Sequence, residues 1–315
     1  HDSGVRASLQ RMRVLLLGGS GFLGSAIARR ALQAGHDVWS VSRGARLAPE
    51  GVRGIVADRH DHDALASNVG RLTGPWDLVV DCIGFDAADA EQDVTLFREV
   101  ARHLVFVSSD AVFDPSVGRF PLSEHAGYQS SGYGGGKRAA EVVLEHSDVL
   151  DMQWTVLRPT HIYGPGSELG CLPWHLRDPR LLGRLLAGDP RRLVAGGSIL
   201  QQPVYVDDVA DLALSCAGAR RAHRAHVLAV GKEMVEAREY YRLIADALGV
   251  DLQLEEADMG GYLTANPTMR SVLTHRAYGD QSASLRALGL EPPSTTLSDG
   301  IRAHVDYLMA SRPLV

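Results

Sequence analysis

Short apolar runs alternate with amphipathic stretches through the first half of the chain, regularly enough to predict elements. "RVLLLGG" (13–19) reads as a buried strand, "FLGSAIARRALQAG" (22–35) as a helix stopped by Gly35, and "HDVWSVSR" (36–43) as a second strand. The strand–helix step recurs in "RGIVAD" with "HDHDALASNVGRL", and again in "WDLVVDCIG" with "AEQDVTLFREVA". "HLVFVSS", "KRAAEVVLEHS" and "QWTVLRP" add a strand, a helix and a strand. Continuously apolar strands separated by helices imply a parallel sheet covered on both faces. With right-handed crossovers, this predicts an α/β chain with a doubly wound parallel sheet.

Beyond Pro159 the rhythm breaks. "THIYGPGSELGCLPWHLRDP" is rich in Gly and Pro and reads as loop with short helix, whereas "QPVYVDDVADLALSCAG" and "HVLAVG" read as a return to the sheet. "AREYYRLIADALG" and "LSDGIRAHVDYLMA" are amphipathic helices. The expected organisation is a dinucleotide domain over 12–162 with a return segment at 203–230. A smaller discontinuous lobe over 163–202 and 231–315 would hold substrate. Residues 1–11 read as tag or linker, with Met12 as the native start.

Composition narrows the class. Of 315 residues 45% are hydrophobic, and the net charge of −6 argues against a nucleic-acid binder working through a broad basic surface. Cys82, Cys171 and Cys216 lack metal-like spacing and form no disulfide framework, which fits a reducing cytoplasm. No apolar run reaches the roughly 18 residues that would span a bilayer.

The first candidate chemistry is "LLLGGSGFLGSAI", between the first strand and the first helix. Gly18, Gly21 and Gly24 give G-x-x-G-x-x-G, and Gly19 also supplies the G-x-G-x-x-G reading. Glycine allows the tight turn and the close approach of a pyrophosphate, and the helix N-terminus adds free N–H groups. Phe22 and Leu23 lie inside this loop. The second strand ends in Ser42 and Arg43, with Arg46 following, where an acidic residue would bond a ribose 2′-hydroxyl. Arginine there suits a 2′-phosphate, so the expected cofactor is NADP, with NAD as the alternative. Asp58 is placed for the adenine edge. In "RHDHD" (59–63), Asp61 or Asp63 reads as a helix cap rather than a metal ligand.

The second is "SSGYGGGKRAAE" (130–141). Tyr133 and Lys137 share a helix face at i and i+4, and an ammonium beside a phenol lowers the phenol's pKa. Tyr133 then serves as general acid or base, with Ser109 holding the reacting oxygen. Gly134, Gly135 and Gly136 cost such a helix roughly 3 kcal/mol together. They predict close approach of the cofactor, a neighbouring helix or a partner subunit.

Together "GGSGFLG", "VADRHD", "VFVSSDAVFD", "YGGGK", "VLRPTHIYGPG", "QPVYVDDVADLAL" and "YGDQSASLRALGL" resemble the extended short-chain dehydrogenase/reductases, specifically the NAD(P)-dependent epimerase/dehydratase group. The resemblance implies a Rossmann fold, nucleotide-sugar substrates and a homodimer paired through the tyrosine helix. It assigns catalysis to Ser109, Tyr133 and Lys137, with Lys137 also bonding the nicotinamide ribose. It adds Cys82, Ile83, Gly84 and Pro159 to the cofactor wall. Asp110 fills the first place of a dehydratase acid/base pair, but Ala111 stands where the glutamate belongs. Gln201 and Gln202 occupy the place of one diphosphate-gripping arginine, and Arg270 or Arg276 is the candidate for the other. The leading expectation is epimerase/dehydratase-type redox chemistry on a nucleotide-linked sugar. The alternatives are an NADPH-dependent ketoreductase, dTDP-4-dehydrorhamnose-reductase-like or acting on a non-sugar ketone, and a non-catalytic RNA-associated homologue.

Overall fold

Along β1 (Arg13–Leu17) successive side chains go to opposite faces, and both faces are dry. Val14 and Leu16 join one apolar cluster, Leu15 and Leu17 the other. The same division holds in β4 (Leu78–Asp81) and β5 (His103–Val107). These strands were written without polar alternation because helices cover both sides. The computed structural model describes residues 11–70, 75–114, 116, 120–123, 126–170, 177–267 and 276–311.

β2 (Asp37–Ser42), β3 (Arg53–Val56), β6 (Gln153–Pro159) and a last strand, Ala225–Ala229, complete a parallel seven-stranded sheet. The order runs from Ala225–Ala229 through β6, β5, β4, β1 and β2 to β3. The winding reverses between β1 and β4, and a crevice opens there beyond the carboxyl ends of the strands. Helix α1 (Phe22–Gln33) covers one face, while α2 (His62–Gly70), α3 (Ala87–Phe97) and α4 (Gly132–His146) cover the other. Each buried Leu, Val or Ile on these faces stabilises the fold by roughly 1.5–3 kcal/mol.

Later segments build a separate core. Helices α5 (Leu181–Leu186) and α7 (Ala237–Leu248) and the final helix, Leu297–Ser311, pack Leu181, Leu185, Tyr240, Tyr241 and Ile301 around Tyr163. Of the two segments read as returning to the sheet, only Ala225–Ala229 does so. Val204–Tyr205 instead pairs with Ile162–Tyr163, and α6 (Val206–Ser215) lies beside α1 on the sheet face. Arg29 and Arg30 of α1 reach Asp207 and Asp211 of α6 at 2.7 and 2.5 Å, exposed pairs of small energetic weight.

Candidate active site

The glycine loop leaves β1 and turns immediately into α1. Gly18 adopts φ +86°, and its N–H bonds Val41 O at 2.8 Å. A side chain at Gly24 would place its Cβ 2.2 Å from Gly18 O, so this glycine lets the helix sit against the loop. Gly21 caps α1 with no side chain in the way, and the first turn carries no acid. That leaves N–H groups and a positive dipole end for an anion, the cradle a dinucleotide pyrophosphate requires. A cavity of about 560 Å³ extends from Gly18 and Gly21 past Ile83 to Ser42, Arg43, Arg46 and Asp58. Neither Arg43 nor Arg46 pairs with a carboxylate among the described residues. Asp58 accepts from His60 N at 3.0 Å, and Asp61 caps α2 by accepting from Ala64 N at 3.0 Å.

A second cavity of about 570 Å³ adjoins the first through Phe85 and is walled by Ser109, Tyr133, Lys137, Leu23, Cys82 and Pro159. Ser109 follows β5 and accepts from Ala111 N at 3.1 Å, which fixes the turn that carries it. Lys137 is buried, and its Nζ donates to Gly84 O at 2.6 Å and Val107 O at 2.7 Å. These two carbonyls, not the phenol of Tyr133, take the ammonium's hydrogen bonds. Lys137 Nζ itself lies 5.8 Å from the Tyr133 ring centre. Burial raises Tyr133 above its ordinary value and Asp110 adds to this, while a hydrogen bond with Ser109 opposes it. The half-exposed Tyr133 thus stands beside Ser109 on the wall of this cavity. Burial likewise pushes the Cys82 thiol up, so it supplies no thiolate.

The glycine run meets the chain's own backbone closely. A Cβ on Gly134 would lie 2.0 Å from Ala111 O, and one on Gly136 would lie 2.9 Å from Phe85 O. Gly135 closes on the backbone of Ser130 at 2.7 Å. What approaches this turn of α4 is the chain's own loop backbone after β4 and β5, not another helix. The contacts bring Tyr133 and Lys137 up to the strand ends.

At the far end, Asp110 Oδ2 accepts from Tyr278 OH at 2.9 Å and faces Arg276 Nη1 at 3.5 Å. The carboxylate thus ties the Ser109 turn to the segment at 276–278. Gln202 donates to Gly231 O and Gly279 O, both at 2.9 Å, and accepts from Tyr278 N at 2.8 Å. Those bonds commit Gln202 to joining segments, whereas Gln201 and Arg276 line the cleft. Arg270 lies outside the described residues, as does Cys171.

Three residues escaped the motif reading. Asp81 ends β4 and is fully buried. Its Oδ1 accepts from Ile83 N and Gly84 N at 2.8 and 2.9 Å, and its Oδ2 pairs with Arg59 Nη1 at 2.7 Å. The turn so held presents Gly84 O to Lys137. Arg59 also meets Asp89 and Asp93, and burial together with Asp81 raises Asp93 well above the carboxylate range. The signal was legible as a charge closing the apolar run "DLVVD". Phe85, half-exposed, stands edge-on to Tyr133 at 6.2 Å. The third, Arg177, lies at the cleft wall.

Residues 14–231 match the model of the NAD dependent epimerase/dehydratase family, and the chain belongs to that family. It is 30% identical over 242 residues to the 2′-dehydrokanamycin reductase of Streptomyces kanamyceticus, covering 76% of this chain and 67% of that one. It is 26% identical over 235 residues to the chloroplast stem-loop binding protein of 41 kDa b of Arabidopsis thaliana, covering 70% of this chain but only 58% of that relative's length. The fold matches the UDP-glucose 4-epimerase of Thermus thermophilus in complex with NAD, with a TM-score of 0.73 and 21% identity over 96% of this chain and all of the other. The protein is an NAD(P)-dependent enzyme of the short-chain dehydrogenase/reductase type. Among the described residues, no helix is long and apolar enough to cross a membrane.

Proposed function

We propose that this enzyme is an NADPH-dependent reductase of a ketone on a hydroxylated, sugar-like ring. The observation that carries the reading is a cofactor cavity that adjoins the cleft holding Ser109 and Tyr133 and ends in Ser42, Arg43 and Arg46. Guanidinium groups there suit a 2′-phosphate, and a cofactor chosen by its 2′-phosphate is one that is exchanged rather than retained.

The nicotinamide supplies the hydride when bound. Ser109 Oγ would donate to the substrate oxygen, and Tyr133 OH would pass its proton to that oxygen as the carbonyl carbon gains hydride. Solvent then restores the phenol. Lys137, held by Gly84 O and Val107 O, keeps an ammonium N–H for the ribose and a positive charge behind the phenol. That charge would stabilise the phenolate that forms as the proton is transferred. The ring itself would lie against Gln201 and the neutral Asp110–Arg276 pair. Similarity to an aminoglycoside-ketone reductase supports a substrate of this class.

The test has two steps. Denatured protein is analysed by mass for released nicotinamide, and NADPH oxidation is followed with a panel of cyclic hydroxyketones. An empty site with NADPH preferred over NADH at least tenfold, abolished by Arg43→Ala, is the expected result. Tightly held NAD, with interconversion of UDP-glucose and UDP-galactose, would overturn it in favour of epimerisation.

A further inference from the structure

The cations along the two cavities can be sorted by what already holds them. Arg59 is bound to Asp81 and Asp93, Lys137 to two carbonyls, and Arg276 faces Asp110. Arg43 and Arg46 stand at the adenosine end. Arg177 remains. It donates to Ile162 O at 3.2 Å and has no carboxylate partner among the described residues. Its guanidinium carbon lies 5.4 Å from the ring centre of Phe22, the first residue of α1. A Cβ built on Gly166 would lie 3.4 Å from the Phe22 ring, so Gly166 and Arg177 both meet the first residue of α1. Beside it, burial and then Arg177 itself pull the His161 imidazole down to about 4, which leaves it neutral. The charge at this mouth belongs to Arg177.

We propose that Arg177 is a ligand of the pyrophosphate of the bound dinucleotide. A pyrophosphate carries two negative charges, while the helix end offers about half a positive one and uncharged N–H groups. No acid stands in the first turn of α1, and Arg29 and Arg30 farther along it are already paired. A guanidinium held on Phe22 completes the neutralisation through charge-assisted hydrogen bonds. A substrate diphosphate would have the same chemistry, but Arg177 is anchored to the cofactor loop, whereas the substrate end has its own arginine in Arg276.

The inference rests on dinucleotide binding along the glycine loop, and the experiment separates the two. NADPH, adenosine 2′-monophosphate and UDP are titrated against wild type, Arg177→Gln and Arg177→Lys by calorimetry at several salt concentrations. Thermal melting serves as the folding control. Arg177→Gln should weaken NADPH about ten- to a hundredfold and flatten its salt dependence. Adenosine 2′-monophosphate, which has no pyrophosphate, should bind as before, and Arg177→Lys should recover part of the loss. NADPH affinity within twofold of wild type would overturn the proposal, as would selective loss of UDP, which would assign Arg177 to substrate. Wild type that binds no NADPH would instead defeat the reading of the cavity itself.

Discussion

Tyr133 shows how far a residue's chemistry depends on its neighbours. Spacing alone placed Lys137 on its face, yet the ammonium bonds the carbonyls of Gly84 and Val107, and partial burial shifts the phenol's pKa upward. In reduction the phenol is the acid, so a raised pKa favours the donor form through neutrality. Turnover should stay level from pH 6 to 9 and fall as pH climbs past the ordinary tyrosine value near 10. Tyr133→Phe should lower kcat by roughly 10²–10⁴-fold, with NADPH affinity nearly unchanged in fluorescence titration. Unchanged kcat would remove Tyr133 from the chemistry.

At the scale of elements, α4 and the turns after β4 and β5 form one unit. Alanine normally favours a helix over glycine by about 1 kcal/mol. Gly134→Ala should nevertheless destabilise, because its Cβ would lie 2.0 Å from the carbonyl of Ala111, in the turn that carries Ser109. The expected result is a lower melting temperature and a fall in kcat of at least tenfold. Gly132→Ala lacks that clash but has φ +65°, so it should destabilise without the same loss of turnover per degree of melting. A Gly134→Ala protein with raised stability and full activity would show that α4 can step back from the loop.

For the whole molecule, buried imidazoles set the acid limit. His304 Nδ1 accepts from Gly164 N–H at 3.1 Å, and Nε2 faces Ser167 O at 2.8 Å, so the neutral tautomer with its proton on Nε2 joins the final helix to the loop after β6. A second proton would confront Gly164 N–H. Burial lowers His304 and His103 to about 4 from the ordinary 6.5. Between those values the unfolded chain binds more protons, so stability is complete above 6.5 and declines as pH falls toward 4. Each site should cost about 2–3 kcal/mol by pH 4.5, measurable by urea denaturation at pH 7.5, 5.5 and 4.5. His304→Gln should have a shallower acid limb; an unchanged limb would assign the loss to other groups.

Much of this protein was determined by local sequence. Apolar runs of strand length and the glycine turn specify a parallel sheet with a dinucleotide-type loop, and the motifs marked Ser109, Tyr133 and Lys137, which the structure gathers around one cleft. Periodicity and turn chemistry act within a few residues of each position. What the tertiary structure decided lies between distant segments: whether Lys137 meets the phenol or a carbonyl, why α4 has three glycines, and how Asp81 closes on Arg59. It also decided that Asp110 binds Tyr278 and that Arg177 rests on Phe22. Such pairings join residues up to 168 positions apart, and their energies depend on burial and on distances that only the packed chain creates.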